Sequence, residues 1–321
     1  MNRDSNDLPR FLSGQVHELN DPKAGLISYY VDGPDWAGCD APSAHEANPL
    51  ILVHSINAAA SAHEVKPLFD FFKTQRRVYA IDLPGYGHSE RSDRPYLPRL
   101  MVDALHALIS RIRSENHCQK IDALAVSLSC EFLARAAKES PDAFRSIGFV
   151  SPTGFQRRSP TQAPPGSNRG SPTALRVLKF RGVGRTLFGL LTTAPSIRYF
   201  LQRTWGSKQI DEQMFESSVV SARQPGAQHA PFHFLSGYLF SADMLSVYDS
   251  IQTPVWVSHG VRGDFTDYSR MGGVRQKPDW YVTQFQTGAM PYFEVPRQFT
   301  AAYTEFLNAP TGDHPAGRTA S

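Results

Sequence analysis

One stretch, residues 121–137, reading IDALAVSLSCEFLARAA, constrains what this chain can fold into more than any other. Its apolar run, 121–126, stops at a serine, and a helical pattern begins at once behind it. Cys130, Leu133, Ala134 and Ala137 then fall at i, i+3, i+4 and i+7, one face of a helix. A strand that becomes a helix within so short a space leaves its turn residue strained and that side chain exposed. This is the elbow geometry that presents a nucleophile, here Ser127, with the Leu128 N–H free at the helix N-terminus. Strand and helix nearly touch at such a turn, so small residues are required two places to either side. Ala125 and Ser129 fill those places where glycine is usual, giving A-V-S-L-S for G-x-S-x-G. The competing reading is a buried strand followed by a helix that Ser129 caps.

A chain of 321 residues can bury a substantial core, and 41% hydrophobic with 20% charged content fits an ordinary globular protein. A net charge of +3 is too small to imply nucleic acid, and no G-x-G-x-x-G or P-loop follows any strand. Nucleic-acid and nucleotide partners are therefore not expected. The three cysteines, Cys39, Cys118 and Cys130, are scattered, giving neither a disulfide framework nor a metal-ligand spacing. No metal or cofactor is expected, and a reducing, cytoplasmic setting is favoured. The opening MNRDSNDLPRFLSG has no apolar signal region, and no run approaches the roughly 20 apolar residues of a membrane span.

Residues 16–31 alternate well enough for a hairpin or two edge strands. Residues 50–54 (LILVH) form a short apolar strand of the kind buried on both faces of a parallel sheet, and 77–83 (RVYAIDL) the next. Helices are predicted over 62–73, 96–112, 129–138 and 296–307, and further strands over 121–126, 147–150, 253–258 and 281–286. Strand and helix alternate on both sides of a gap, which predicts an α/β fold with a mostly parallel sheet and an insertion. The expected division is a core over 1–152 and 250–310, a helical cap over 153–249, and a flexible tail over 311–321. Within 143–210 there are 11 Lys/Arg and no Asp or Glu. That stretch is either a solvated basic face or a lid attracting an anionic ligand or an anionic membrane surface.

Several segments in order resemble the α/β-hydrolase superfamily. Residues 54–69 (HSINAAASAHEVKPLF) are similar to its His-Gly oxyanion segment, with Ser55 in the glycine's place, and 82–91 (DLPGYGHSER) to its D-x-P-G-x-G-x-S loop. The Ser127 elbow follows, then 258–268 (SHGVRGDFTDY), which resembles the segment delivering the acid. Residues 287–299 (TGAMPYFEVPRQF) resemble the segment delivering the histidine. The resemblance covers about 50–152 and 250–308, with the insertion at the family's usual cap position. It implies an α/β-hydrolase fold: a mostly parallel twisted sheet flanked by helices, with a helical cap.

The resemblance further implies Ser127 as nucleophile, Asp264 as the acid with Asp267 as fallback, and the backbone N–H groups of Ile56 and Leu128 as the oxyanion hole. It also puts Ala289 where the catalytic histidine should stand. Alanine can neither accept nor return a proton, and loss of a triad member lowers kcat by about 10⁴–10⁶. His259, His63 and His233 are the candidate substitute bases, each set against an ordinary structural histidine. His54 is expected to brace the oxyanion turn, and His88 and Arg91 to be exposed loop residues. Three readings follow: a serine hydrolase acting on an ester or similar acyl bond; a binding protein or pseudoenzyme on the same fold; and lyase or isomerase chemistry in the same pocket. The expected partner is a bulky apolar small molecule, with an anionic part if the basic stretch attracts it. Phe180, Phe188, Leu191 and Phe200 are candidate lining residues.

Overall fold

The computed structural model describes residues 8–34, 48–118, 120–180 and 182–309. The expected tail at 311–321, Cys39 and most of the loop between the hairpin and residue 50 lie outside the described residues. The predicted hairpin is β1 (Gln15–Asp21) and β2 (Gly25–Asp32). Then come β3 (Leu50–Val53), α1 (Lys66–Phe72), β4 (Val78–Asp82), α2 (Pro98–Glu115), β5 (Ile121–Val126), α3 (Ser129–Glu139) and β6 (Phe144–Val150). An insert of short helices follows: α4 (Pro172–Lys179), α5 (Val183–Leu191), α6 (Ala194–Trp205), α7 (Glu212–Ala222), α8 (His229–Leu235) and α9 (Met244–Asp249). The chain returns with β7 (Val255–His259), α10 (Gly272–Arg275), β8 (Trp280–Gln284), α11 (Pro291–Glu294) and α12 (Pro296–Asn308).

The sheet has 8 strands in the order β1-β2-β4-β3-β5-β6-β7-β8. Pairs β1–β2 and β2–β4 are antiparallel and the rest parallel. Strands β3, β4 and β5 are buried at every position, Asp82 of β4 and Asp122 of β5 included. One apolar layer packs α2 and α3 on one face, built on Leu105, Leu108, Phe132 and Leu133. The other face packs α1 and α12 through Phe69, Phe72, Phe299 and Tyr303. At the amino end of β5, buried Asp122 accepts from Arg76 (2.7 Å), Ser146 (2.5 Å) and both edges of Arg145 (2.9 and 2.5 Å). Arg145 also donates to the Leu307 carbonyl at 2.7 Å, tying α12 to the sheet. Gly148 in β6 keeps α12 close, because a Cβ there would stand 3.1 Å from Tyr303.

The carboxyl ends of the strands are where a parallel sheet presents its ligand crevice. The insert rests on both flanks of that edge. The Trp205 carbonyl would lie 2.3 Å from a Cβ on Gly288, and Ala230 2.5 Å from a Cβ on Gly85. Among the described residues no helix is long and apolar enough to cross a membrane.

Candidate active site

Ser127 follows β5 with φ of +56°, in the left-handed region that a residue with a Cβ occupies only at a cost of about 1–3 kcal/mol. Its N–H donates to the Val150 carbonyl at 2.8 Å, and its own carbonyl accepts from Cys130 N–H at 3.1 Å, so the turn is locked from both sides. Ser127 is half-buried, whereas Ala125 and Ser129 are fully buried, which is the small-residue contact the turn demanded. Ser129 does not cap the helix. Its hydroxyl donates to the His54 carbonyl at 2.5 Å and ties the elbow to the turn after β3. Leu128 takes the cap position without a side-chain bond.

That turn is braced by groups the sequence reading did not single out. Buried Glu64 accepts from Ser55 N–H at 2.8 Å and from the Asn57 amide at 2.6 Å, and Asn57 in turn accepts from Ala59 N–H at 2.7 Å. His54 accepts from Leu83 N–H through Nε2 at 3.0 Å, so Nδ1 carries the proton and donates to the Ser55 carbonyl at 2.6 Å. Both ring nitrogens are used structurally. The N–H groups of Ile56 and Leu128 donate to no acceptor among the described residues. Preorganised amides without an internal partner are the groups able to hold an oxygen that gains negative charge.

The loop after β4 explains its glycines. Asp82 accepts from Ala62 N–H (2.7 Å) and His88 N–H (2.9 Å), and a Cβ on Gly87, at φ +50°, would stand 1.9 Å from the Asp82 carboxyl carbon. His88 and Arg91 are half-buried here, not exposed. Arg91 donates to the Gly87 carbonyl at 2.6 Å and reaches the Ser221 carbonyl of α7 at 3.3 Å, joining loop to insert.

Asp264 lies on the outer surface, its side chain 43% exposed. Arg203 of α6 grips both its oxygens at 2.6 Å, a two-pronged pair between insert and core. Asp267 is exposed and accepts from Arg157 N–H at 2.9 Å and from the Ser269 hydroxyl at 2.7 Å. Ala289 is buried, with its N–H donating to the Thr204 carbonyl at 3.0 Å and its carbonyl accepting from the Ser151 hydroxyl at 2.7 Å. Ser151 stands at φ +49° beside the elbow, since Ser127 bonds to neighbouring Val150.

The three candidate bases occupy three separate places. His259 is buried at the end of β7, stacked on Tyr268 at 4.2 Å between ring centres; its Nδ1 faces the Gly260 carbonyl at 3.0 Å and its Nε2 has no partner among the described residues. His63 is buried in the turn before α1 with its ring edge-on to Phe11. His233 in α8 is wedged between Tyr96 and Tyr238, its Nδ1 facing the His229 carbonyl at 2.9 Å. Burial is the first cause that lowers the pKa of each ring, favouring the neutral form. Among the described residues, none of them bonds to the Ser127 hydroxyl, nor does any other side chain.

Of the aromatic and aliphatic side chains expected to line a pocket, Phe188 packs inward on Phe232, while Phe180 and Phe200 face solvent. Leu191 is half-buried. A further buried acid, Glu131 of α3, accepts from the Thr153 hydroxyl at 2.6 Å and from Ser241 N–H at 2.8 Å, joining the elbow helix to the end of the insert.

A mostly parallel sheet with a serine on a left-handed turn directly behind one of its inner strands has the architecture of an α/β-hydrolase fold. The sequence matches the model of the Alpha/beta hydrolase family over residues 50–302, and the chain belongs to that family. Among solved structures it is similar to a probable hydrolytic enzyme from Pseudomonas aeruginosa PAO1, with 18% identity, a TM-score of 0.69, and 92% of this chain and 95% of that chain covered. It is also similar to the carboxylesterase CesB from Bacillus subtilis, at 15% identity, TM-score 0.66, and 92% and 93% covered. A third is the 2-hydroxy-6-oxo-6-phenylhexa-2,4-dienoate hydrolase from Rhodococcus sp. strain RHA1, at 16% identity, TM-score 0.67, and 92% and 99% covered. At these identities the likeness concerns the fold. Comparison with curated proteins finds no match.

Proposed function

We propose that this family member binds an acyl or carbonyl-bearing small molecule at the Ser127 elbow, without the proton transfers of a Ser-His-acid hydrolase. The observation that carries this reading is Ala289: the histidine's place holds a side chain with no proton to exchange, its carbonyl already taken by Ser151. The acid's place is equally diverted, because Asp264 is gripped by Arg203 at the surface. A serine hydroxyl attacks poorly unless a base removes its proton. The free Ile56 and Leu128 amides and the half-buried Ser127 hydroxyl remain, and these suit a carbonyl or carboxylate oxygen. The hydrolytic and esterase names of the structural relatives support an acyl ligand.

One observation favours a second reading, a serine esterase with a substitute base: the strained φ of +56° at Ser127, retained at a cost in stability. His259, neutral and with Nε2 unpaired, is the base this reading would use, after a movement that brings it to the hydroxyl.

A short-chain p-nitrophenyl ester separates the two. The binding reading expects wild type and Ser127→Ala to hydrolyse it at the same background rate, because both keep the amides. A wild-type rate about 10²-fold or more above Ser127→Ala would overturn it in favour of the esterase. Ala289→His should gain activity toward the lower end of the roughly 10²–10⁴-fold that a positioned base supplies, since no acid orients the new ring. Decanoate, a carboxylate with an apolar tail, should raise the wild-type Tm; no shift at saturating decanoate would sink the binding reading.

A further inference from the structure

The outer face of the insert combines two properties that rarely coexist on a solvated surface. Val177, Phe180, Val183, Leu187, Leu190, Tyr199 and Phe200, between 39% and 67% exposed, all belong to the segment from α4 to α6. Of the large apolar side chains exposed in the described residues, only Phe71, Leu235 and Phe265 lie elsewhere. In α5 only Gly184 and Phe188 are buried, so this strongly apolar helix turns Val183, Leu187 and Leu190 outward. An amphipathic helix normally does the reverse, packing its large apolar residues on the core.

The same segment carries positive charge without local compensation. From residue 143 to 210 the sequence has 11 Lys/Arg and no Asp or Glu. Some of these cations are paired with acids from other parts of the chain: Lys179 with Asp93, Arg198 with Glu212, and Arg203 with Asp264. Arg176 and Arg185, among the exposed apolar side chains, are exposed and have no carboxylate partner among the described residues. Lys179, Phe180 and Arg185 also line a cleft of about 510 Å³ between this face and α8.

We infer that the α4–α6 face docks on an anionic phospholipid bilayer, with Phe180 and Leu190 entering the acyl boundary and Arg176 and Arg185 meeting the headgroup phosphates. Charge complementarity selects this occupant. A second copy of the chain would bring the same uncompensated cations face to face, whereas an anionic bilayer offers negative charge and apolar depth together. Arginine suits the boundary, because its stem can lie along apolar surface while its head stays at the phosphate level. The insert rests on the carboxyl edge of the sheet, so docking would place that edge near the bilayer. The inference does not depend on whether Ser127 binds or hydrolyses its ligand.

The full chain is incubated with vesicles of phosphatidylcholine alone and of phosphatidylcholine doped with phosphatidylglycerol, and the bound fraction is read by sedimentation. Binding to the doped vesicles about tenfold stronger than to the neutral ones, and weakened by added salt, is expected. Arg176→Glu/Arg185→Glu should lower binding by about tenfold or more, and Phe180→Ser/Leu190→Ser should abolish it with the charges intact. All four positions are exposed, so unchanged unfolding midpoints would show that the variants fold. Equal binding to both vesicle types, no binding, or doped-vesicle binding unaltered by either double variant would overturn the inference. So would wild-type dimers that Phe180→Ser/Leu190→Ser converts to monomers without any vesicle binding, which would assign the face to a second copy.

Discussion

Replacing Glu131 by glutamine keeps the side chain's shape and removes its charge at a place where charge is costly. The carboxylate is fully buried, accepting from Thr153 and Ser241, and burial raises its pKa from 4.5 to about 7. Between those values the folded chain holds a proton that the unfolded chain has released. Stability therefore falls as pH rises through that window, and the full penalty is present above it. A gap of about 2.5 at 1.36 kcal/mol each amounts to about 3 kcal/mol. A glutamine can accept from Ser241 N–H through its carbonyl and donate to the Thr153 hydroxyl through its amide, so the contacts survive. Urea unfolding of wild type and Glu131→Gln at about pH 5 and about pH 8 reads the effect, with the variant gaining on wild type by about 2.5 kcal/mol between them, because a small part of the penalty is already present at the lower pH. Comparing the two proteins matters because His63, His233 and His259, lowered by burial, change stability in the opposite sense as pH rises through the ordinary histidine range. Those contributions are common to both and cancel. A difference that does not change with pH, or that shrinks as pH rises, would refute the account of Glu131 as a buried acid forced toward neutrality.

Ser127→Gly removes the Cβ that makes φ of +56° costly and should raise stability by about 1 kcal/mol, read as a higher urea midpoint; a lower one would mean the elbow is not strained. Asp122→Ala removes a fully buried carboxylate that accepts from buried Arg76 and half-buried Arg145, and should cost about 3–5 kcal/mol in the same assay. Asp264→Ala removes only a surface pair, so midpoint and background ester hydrolysis should both stay unchanged; a lost activity would return Asp264 to the reaction.

Much of this architecture was legible in one dimension. The apolar run at 50–53 read as a strand covered on both faces, the largely apolar segments at 78–82 and 121–126 as its neighbours, and an alternating segment before them as the edge hairpin. The elbow was legible too, because a period change across a serine flanked by small residues is a local property; Gly85 and Gly87 were matched only by resemblance, and the structure supplies the reason for them in their positive φ and in the approach of Asp82 to Gly87. The destinations of the polar side chains were not legible. Asp264 sits where a family resemblance looks for an acid, yet an arginine 61 positions earlier draws it to the surface. His54 braces the turn as expected, but only the fold shows that it does so by bonding Leu83, 29 residues on, and that Ser129 joins the elbow to a carbonyl 75 residues back. Glu131 becomes a buried acid only through Ser241, 110 residues away, and the Ala289 carbonyl meets Ser151 across 138. Backbone form follows from neighbours a few residues apart, so periodicity reveals it. The partner and protonation of a polar group follow from which distant segments the fold brings against it, and only the tertiary structure decides that.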